Sequence, residues 1–149
     1  MESSYPWRSV LITGASSGIG RATALEFAYR DARVVLAARR AEPLESAAAA
    51  CRAVGAEAVA VTTDVTDEAA VEALARAALD RFGRIDVLAN IAGRGSLGAA
   101  EEFAPEQLRE QMELNFFAAA ELTRAVLPHM REAGSGHILQ LTSIGGLVA

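Results

Sequence analysis

The sequence predicts an α/β protein built on one doubly wound parallel sheet with strand order 3-2-1-4-5. Three observations carry that prediction. Short, almost continuously apolar runs recur along the chain, as in Ser9 to Thr13 (SVLIT) and Arg33 to Ala38 (RVVLAA). Segments of helical periodicity separate them. A glycine-rich stretch, Gly14 to Gly20, lies between the first run and the first helical segment. Apolar strands joined through helices belong to a sheet covered on both faces. Right-handed crossovers then wind the sheet outward in both directions from its first strand.

The elements follow in order. Ser9 to Thr13 is the first strand, and a helix follows from about Gly18 to Tyr29. Arg33 to Ala38 is the second strand, followed by a helix over about Glu42 to Val54 that Gly55 ends. Glu57 to Thr62 is the third strand. The clearest helix is Asp67 to Phe82, because Val71, Leu74, Ala75, Ala78, Leu79 and Phe82 share one helical face. Thr66 is placed to cap it, with Asp67 and Glu68 in the first turn and Gly83 as its stop. Ile85 to Ala89 is the fourth strand and leads into Asn90-Ile91-Ala92-Gly93. After a glycine-containing loop, a long helix is expected from Pro105 to Arg131, with Pro128 bending its last turns. His137 to Leu141 is the fifth strand and delivers Thr142 and Ser143. The 149 residues fit one domain, 1–149, with no linker and no second domain.

Composition narrows the function classes. Apolar residues make up 52% and charged residues 22%, and the net charge is −5. That balance opposes a nucleic-acid surface, which needs a basic stripe to replace counterions. No apolar run reaches the length of a membrane helix and the N-terminus shows no signal core, so a cytoplasmic protein is expected. All 14 basic residues are arginine, because the chain contains no lysine. The lone Cys51 reads as a structural bystander, and no metal site is expected. His129 and His137 read as surface or turn residues.

Thr13-Gly14-Ala15-Ser16-Ser17-Gly18-Ile19-Gly20 stands where a strand hands over to a helix. A diphosphate there meets unpaired backbone N–H groups and the positive end of the helix dipole. Gly14 suits the tight turn, Gly18 the approach of phosphate oxygens, and Gly20 close packing of helix on sheet. The alternative is a purely structural turn. A Walker-type phosphate loop is excluded, since it requires lysine. At the end of the second strand, Arg39 and Arg40 occupy the region where an acid would bind the ribose 2′-hydroxyl of NAD. Guanidinium groups grip a 2′-phosphate instead, so NADP (NADPH) is favoured over NAD, with Arg39 the main contact and Arg40 its helper. Two solvated helix-start arginines are the competing explanation. Asp64, after the third strand, is placed to accept from the adenine amino group, or else merely precedes the helix cap.

Together these residues resemble the short-chain dehydrogenase/reductase family in its shorter single-domain form, from Val10 onward. Thr13 to Gly20 is similar to that family's TGxxxGIG loop. Asp64-Val65 resembles its adenine-side position. Asn90-Ile91-Ala92-Gly93 resembles its NNAG element, with Ile91 in place of the second Asn. Asn115 stands where the family keeps an active-site Asn, and Ser143 where it keeps its catalytic Ser. The resemblance implies a Rossmann-like fold, an NADP-dependent oxidoreductase and a small carbonyl or alcohol substrate. It also implies a homo-oligomer, with the long helix around Asn115 as a subunit contact. Cofactor contacts are implied for Thr13, Gly14, Ser16, Ser17, Gly18, Ile19, Gly20, Arg39, Arg40, Asp64, Val65, Asn90, Ala92 and Gly93. Ser143 would polarise a substrate carbonyl, and Asn115 could hold a proton-relaying water.

The family's Tyr-x-x-x-Lys motif normally follows the Ser. The chain ends at Ala149 with no lysine, and its tyrosines are Tyr5 and Tyr29. A phenol near pKa 10 needs a neighbouring cation to exchange protons at neutral pH. The chain is therefore expected to be the nucleotide-binding part of an oxidoreductase, truncated after the fifth strand and inactive by itself. The competing readings are a non-catalytic dinucleotide-binding module and a sugar-nucleotide epimerase relative. Ser17 disfavours the latter, because such loops tend to carry glycine there.

Overall fold

Successive residues of a strand point to opposite faces of a sheet, and the apolar runs supply both faces. The computed structural model describes residues 8–146. Five parallel strands lie in the order β3-β2-β1-β4-β5, as the sequence predicts. They are β1 (Ser9–Thr13), β2 (Arg33–Ala38), β3 (Ala58–Thr62), β4 (Val87–Asn90) and β5 (His137–Gln140). Val10, Ile12, Val34, Leu36, Val87 and Ala89 face one side. There they pack against the small residues of α1 (Gly18–Ala28) and α2 (Ala41–Ala53). Leu11, Val35, Ala37 and Leu88 face the other side, under α3 (Glu68–Phe82) and α5 (Ala118–Glu132). Leu11, Leu36 and Leu88 are fully buried, and each such side chain contributes roughly 2 kcal/mol. Ala24, Ala28, Ala47 and Ala48 are buried too, and their short side chains let α1 and α2 lie close to the sheet. Cys51 belongs to this packing, and burial pushes its thiol pKa up.

Several boundaries differ from the sequence reading. Thr66 does not cap α3. Asp67 does, accepting from the N–H groups of Ala69 at 2.9 Å and Ala70 at 3.2 Å. The Thr66 hydroxyl instead donates to Asp64 at 2.7 Å, so it is already committed. β4 begins after Asp86 rather than at Ile85, because the Asp86 carboxylate serves another purpose. It accepts from the backbone N–H of Arg8 at 2.8 Å and of Ser9 at 2.9 Å, and it pairs with Arg84. This knot clamps the lower end of β1 to β4.

The expected long helix is three pieces: α4 (Pro105–Met112), a wider turn at Glu113–Phe117, and α5. In that turn the Ala118 N–H reaches back five residues to the Glu113 carbonyl, the mark of a π-type bulge. Pro128 does not end α5, which runs on to Glu132. Pro128 lies on the exposed face, where water can serve the carbonyl that it leaves unbonded. β1 is buried throughout, whereas β5 is mostly exposed, with Leu139 about half open to solvent.

Candidate cofactor site

The upper ends of β1, β2 and β4 open onto a cleft of about 380 Å³. Its position is where strand order reverses direction, which is where doubly wound sheets bind ligands. Its floor is the β1–α1 turn, with Gly14, Ser16, Ser17, Ile19 and Gly20 lining it. Gly14 has φ +65°, and a Cβ there would lie 2.9 Å from the Ala92 nitrogen. A Cβ on Gly20 would collide with the Gly14 carbonyl oxygen. These two positions require glycine, and their absent side chains let the loop fold flat against β4. Gly18 faces open space, with nothing within 4 Å of where its Cβ would be.

The start of α1 is chemically unspent. Ser17 is its N-cap residue in extended geometry but makes no side-chain cap, and the first turn carries no acid. The helix's first backbone bond runs from Arg21 N–H to the Ser17 carbonyl at 3.2 Å. The N–H groups before it have no partner within the helix, and the dipole concentrates positive potential there. The turn is held to β2 by the Ala15 N–H, which donates to the Ala37 carbonyl at 3.2 Å.

Arg39 and Arg40, exposed at the end of β2, form one wall of the cleft. Arg40 donates to the Ser17 hydroxyl at 3.4 Å, reaching across the mouth of the loop. Asp64 is exposed between Thr63 and Val65 but does not itself line the cleft, and its carboxyl is held below the usual range. The Thr66 backbone N–H is the main cause, then the Thr66 hydroxyl, with the Arg39 charge adding to both. Val65, buried, and Thr63 line the wall beneath it.

On the other side, Ile91, Ala92 and Gly93 line the cleft with Leu114 and Leu141. Thr13 does not line it. Its hydroxyl lies beneath, accepting from the N–H groups of Ile91 at 3.0 Å and Ala92 at 3.1 Å. The replacement of the second Asn by Ile91 therefore leaves this tie intact, because the tie uses backbone. Asn90 is buried, 5% exposed, and turns away from the cleft toward α5.

Asn115 sits in the bulge and grips the Arg94 backbone from both ends. Its Oδ1 accepts from the Arg94 N–H at 3.0 Å and its Nδ2 donates to the Arg94 carbonyl at 2.8 Å. Ser143 is exposed past β5, its Oγ accepting from the Gly145 N–H at 3.2 Å. The structure thus gathers the loop, the arginines, Val65, Ala92 and Gly93 around one cleft. Thr13, Asn90 and Asn115 stand behind or beside it. Sequence reasoning missed Ala38, Ile91, Leu114 and Leu141 in the lining, since apolar wall residues carry no chemical signature, and Thr63, whose hydroxyl is spent on the Val61 carbonyl. It also missed Asp86; an acid inside the otherwise apolar run Ile85 to Ala89 was the available signal.

A nicotinamide dinucleotide fits the donor set. The uncapped amides suit its diphosphate, the arginines suit an added phosphate, and the glycine-lined floor leaves room. Among the described residues no group of three His, Cys, Asp or Glu side chains gathers as a metal site would require. No helix there is long and apolar enough to cross a membrane.

Comparison with known proteins agrees. The family model for short chain dehydrogenases matches residues 8–149. The chain is 40% identical over 146 residues to dehydrogenase/reductase SDR family member 7B of Bos taurus, covering 94% of this chain and 45% of that protein. It is 40% identical over 148 residues to a sepiapterin reductase of Chlorobaculum tepidum, covering 94% and 60%. The crystal structure of a short-chain dehydrogenase from Streptomyces avermitilis superposes with TM-score 0.89 at 43% identity, covering 96% of this chain and 52% of that one. A metagenomic short-chain oxidoreductase in complex with NADP superposes with TM-score 0.84 at 37% identity, covering 88% and 60%. The chain spans about half the length of these relatives. On fold, motif order and sequence, the chain belongs to the short-chain dehydrogenase family.

Proposed function

We propose that this chain is the nucleotide-binding part of an NADP-dependent oxidoreductase acting on a small carbonyl or alcohol. The observation that carries the reading is the unspent start of α1 beside two arginines at the end of β2. NADP supplies a hydride donor or acceptor at C4 of its nicotinamide. The first-turn amides of α1 would bind the diphosphate, with Ser16 and Ser17 at its edge. Arg39 and Arg40 would clasp the 2′-phosphate, and a metagenomic relative solved in complex with NADP supports the choice of NADP. Asp64, held ionised, would accept from the adenine amino group, with Val65 against the ring. Ala92 and Gly93 would flank the nicotinamide ribose. Ser143 would donate a hydrogen bond to the substrate oxygen. Asn115 would keep the Arg94 backbone at the edge of the cleft.

Among the described residues no phenol stands beside an ammonium group. Lysine is absent, and Tyr29 stands at the far end of α1 from the cleft. Tyr5 lies outside the described residues. The chain alone is expected to bind NADPH yet reduce no carbonyl substrate, and turnover by the purified chain would refute the second half of that statement. Binding is tested by titrating NADPH and NADH against the wild type and Arg39→Ala, read by thermal shift. NADPH should bind more tightly to the wild type, and Arg39→Ala should lose roughly tenfold in NADPH affinity with little change for NADH. Tighter NADH binding overturns the Arg39 assignment. Binding of neither overturns the reading of the cleft.

A further inference from the structure

The last residues of β4 and β5 are register partners, Asn90 opposite Gln140. Both point toward the face covered by α5, because they alternate with Ala89 and Leu139. Thr123 of α5 meets them there. Asn90 Nδ2 donates to Thr123 Oγ1 at 3.1 Å, and Gln140 Nε2 donates to the same oxygen at 3.3 Å. Asn90 Nδ2 also lies 3.4 Å from the Ala119 carbonyl. A hydroxyl oxygen can accept two hydrogen bonds, so Thr123 spends its whole accepting capacity on the two strand ends.

The position makes this contact consequential. The residues next along the chain, Ile91 to Gly93 after Asn90 and Leu141 after Gln140, line the cleft on the side away from the arginines. Past the paired residues the Leu141 N–H donates to the Asn90 carbonyl at 3.0 Å. A side chain that ties both strand ends to α5, whose inner face is buried, restrains the wall just past the last paired residues.

We propose that Thr123 is a positioning residue for the nicotinamide half of the cleft, holding the ends of β4 and β5 at fixed spacing through one hydroxyl. The inference rests on the dinucleotide reading above, and it concerns the half of the ligand that the arginines do not touch. Valine at position 123 keeps the shape and removes the acceptor. The buried Asn90 amide then loses its principal partner, and a buried donor without a partner drives local rearrangement.

The test compares two probes on the purified chain by calorimetric titration: NADPH, and adenosine 2′,5′-bisphosphate, which carries only the adenine side. Thr123→Val should weaken NADPH about five- to tenfold, the loss expected for one or two hydrogen bonds, and leave the bisphosphate unchanged. Thr123→Ser should restore NADPH binding. A merely structural role would weaken both probes together, or lower thermal stability without changing either affinity, and both results overturn the proposal. Should Thr123→Val fail to fold, Gln140→Ala removes one of the two donors to the Thr123 hydroxyl. It is expected to weaken NADPH by about half as much on a logarithmic scale, and no change overturns the proposal. A wild type that binds both probes equally well shows that the β4–β5 side adds no affinity, which overturns this inference alone. A wild type that binds neither overturns the dinucleotide reading itself.

Discussion

Helices α1 and α3 both follow strands of the same sheet, yet they begin in opposite ways. At α3, Asp67 accepts two first-turn N–H groups and Glu68 adds negative charge to the same turn. That helix start has been neutralised by its own sequence, as capping and dipole interactions favour. At α1, Ser17 leaves the first turn uncapped, no acid is present, and Arg40 adds positive charge at 3.4 Å from the Ser17 hydroxyl. Stability alone would favour the first arrangement everywhere. On the dinucleotide reading proposed above, the second arrangement leaves the negative charge to a bound diphosphate. The contrast teaches that local satisfaction forgone at one helix start, beside two arginines, is what singles out the proposed site.

The comparison breaks most completely at Gly20. Gly20→Ala places a methyl group against the Gly14 carbonyl. Backbone would have to move, and a cost of about 3 kcal/mol is expected, with NADPH binding lost. Chemical denaturation and NADPH titration read the two effects, and a variant of wild-type stability would show that the turn is looser than described. A subtler change makes α1 resemble α3. Ser17→Asp supplies the missing cap and should stabilise the unliganded chain by about 1 kcal/mol. The same carboxylate repels a diphosphate, so NADPH affinity should fall on the order of a hundredfold, less at high salt. Unchanged affinity would place the diphosphate somewhere other than this helix start. The smallest effect is at the capped helix. Asp67→Ala should cost about 1 kcal/mol and lower Tm by roughly 3 °C, with NADPH affinity unaltered. A large loss of affinity there would mean that the two helix starts are not independent.

Legibility varied with the range of the interaction. The extents of β1 and β2 could be read directly, because an unbroken apolar run between polar ends has one natural placement in a covered sheet. The loop from Gly14 to Gly20 was legible because glycine spacing records backbone constraint locally. The cap of α3 was misplaced by one residue, since Thr66 and Asp67 are both good caps and only Asp64's hold on the Thr66 hydroxyl decides between them. The bulge around Asn115 left no periodic trace, because the apolar pattern shifts by a single residue across it. Thr13 looked like a ligand contact and lies instead beneath the segment that lines the cleft.

What local pattern could settle was the five strands, their winding and the open start of α1, for these depend on apolar period and on where glycine is tolerated. What it could not settle was which polar groups meet. Thr13 reaches a backbone N–H 78 residues away, Asn115 reaches one 21 residues back, and Asn90 and Gln140 converge on Thr123 from separate strands. Such pairings follow from packing two layers of helices onto a sheet. They are decided when distant segments are brought within about 3 Å of each other, the reach of a hydrogen bond, and no residue's neighbours along the chain carry that information.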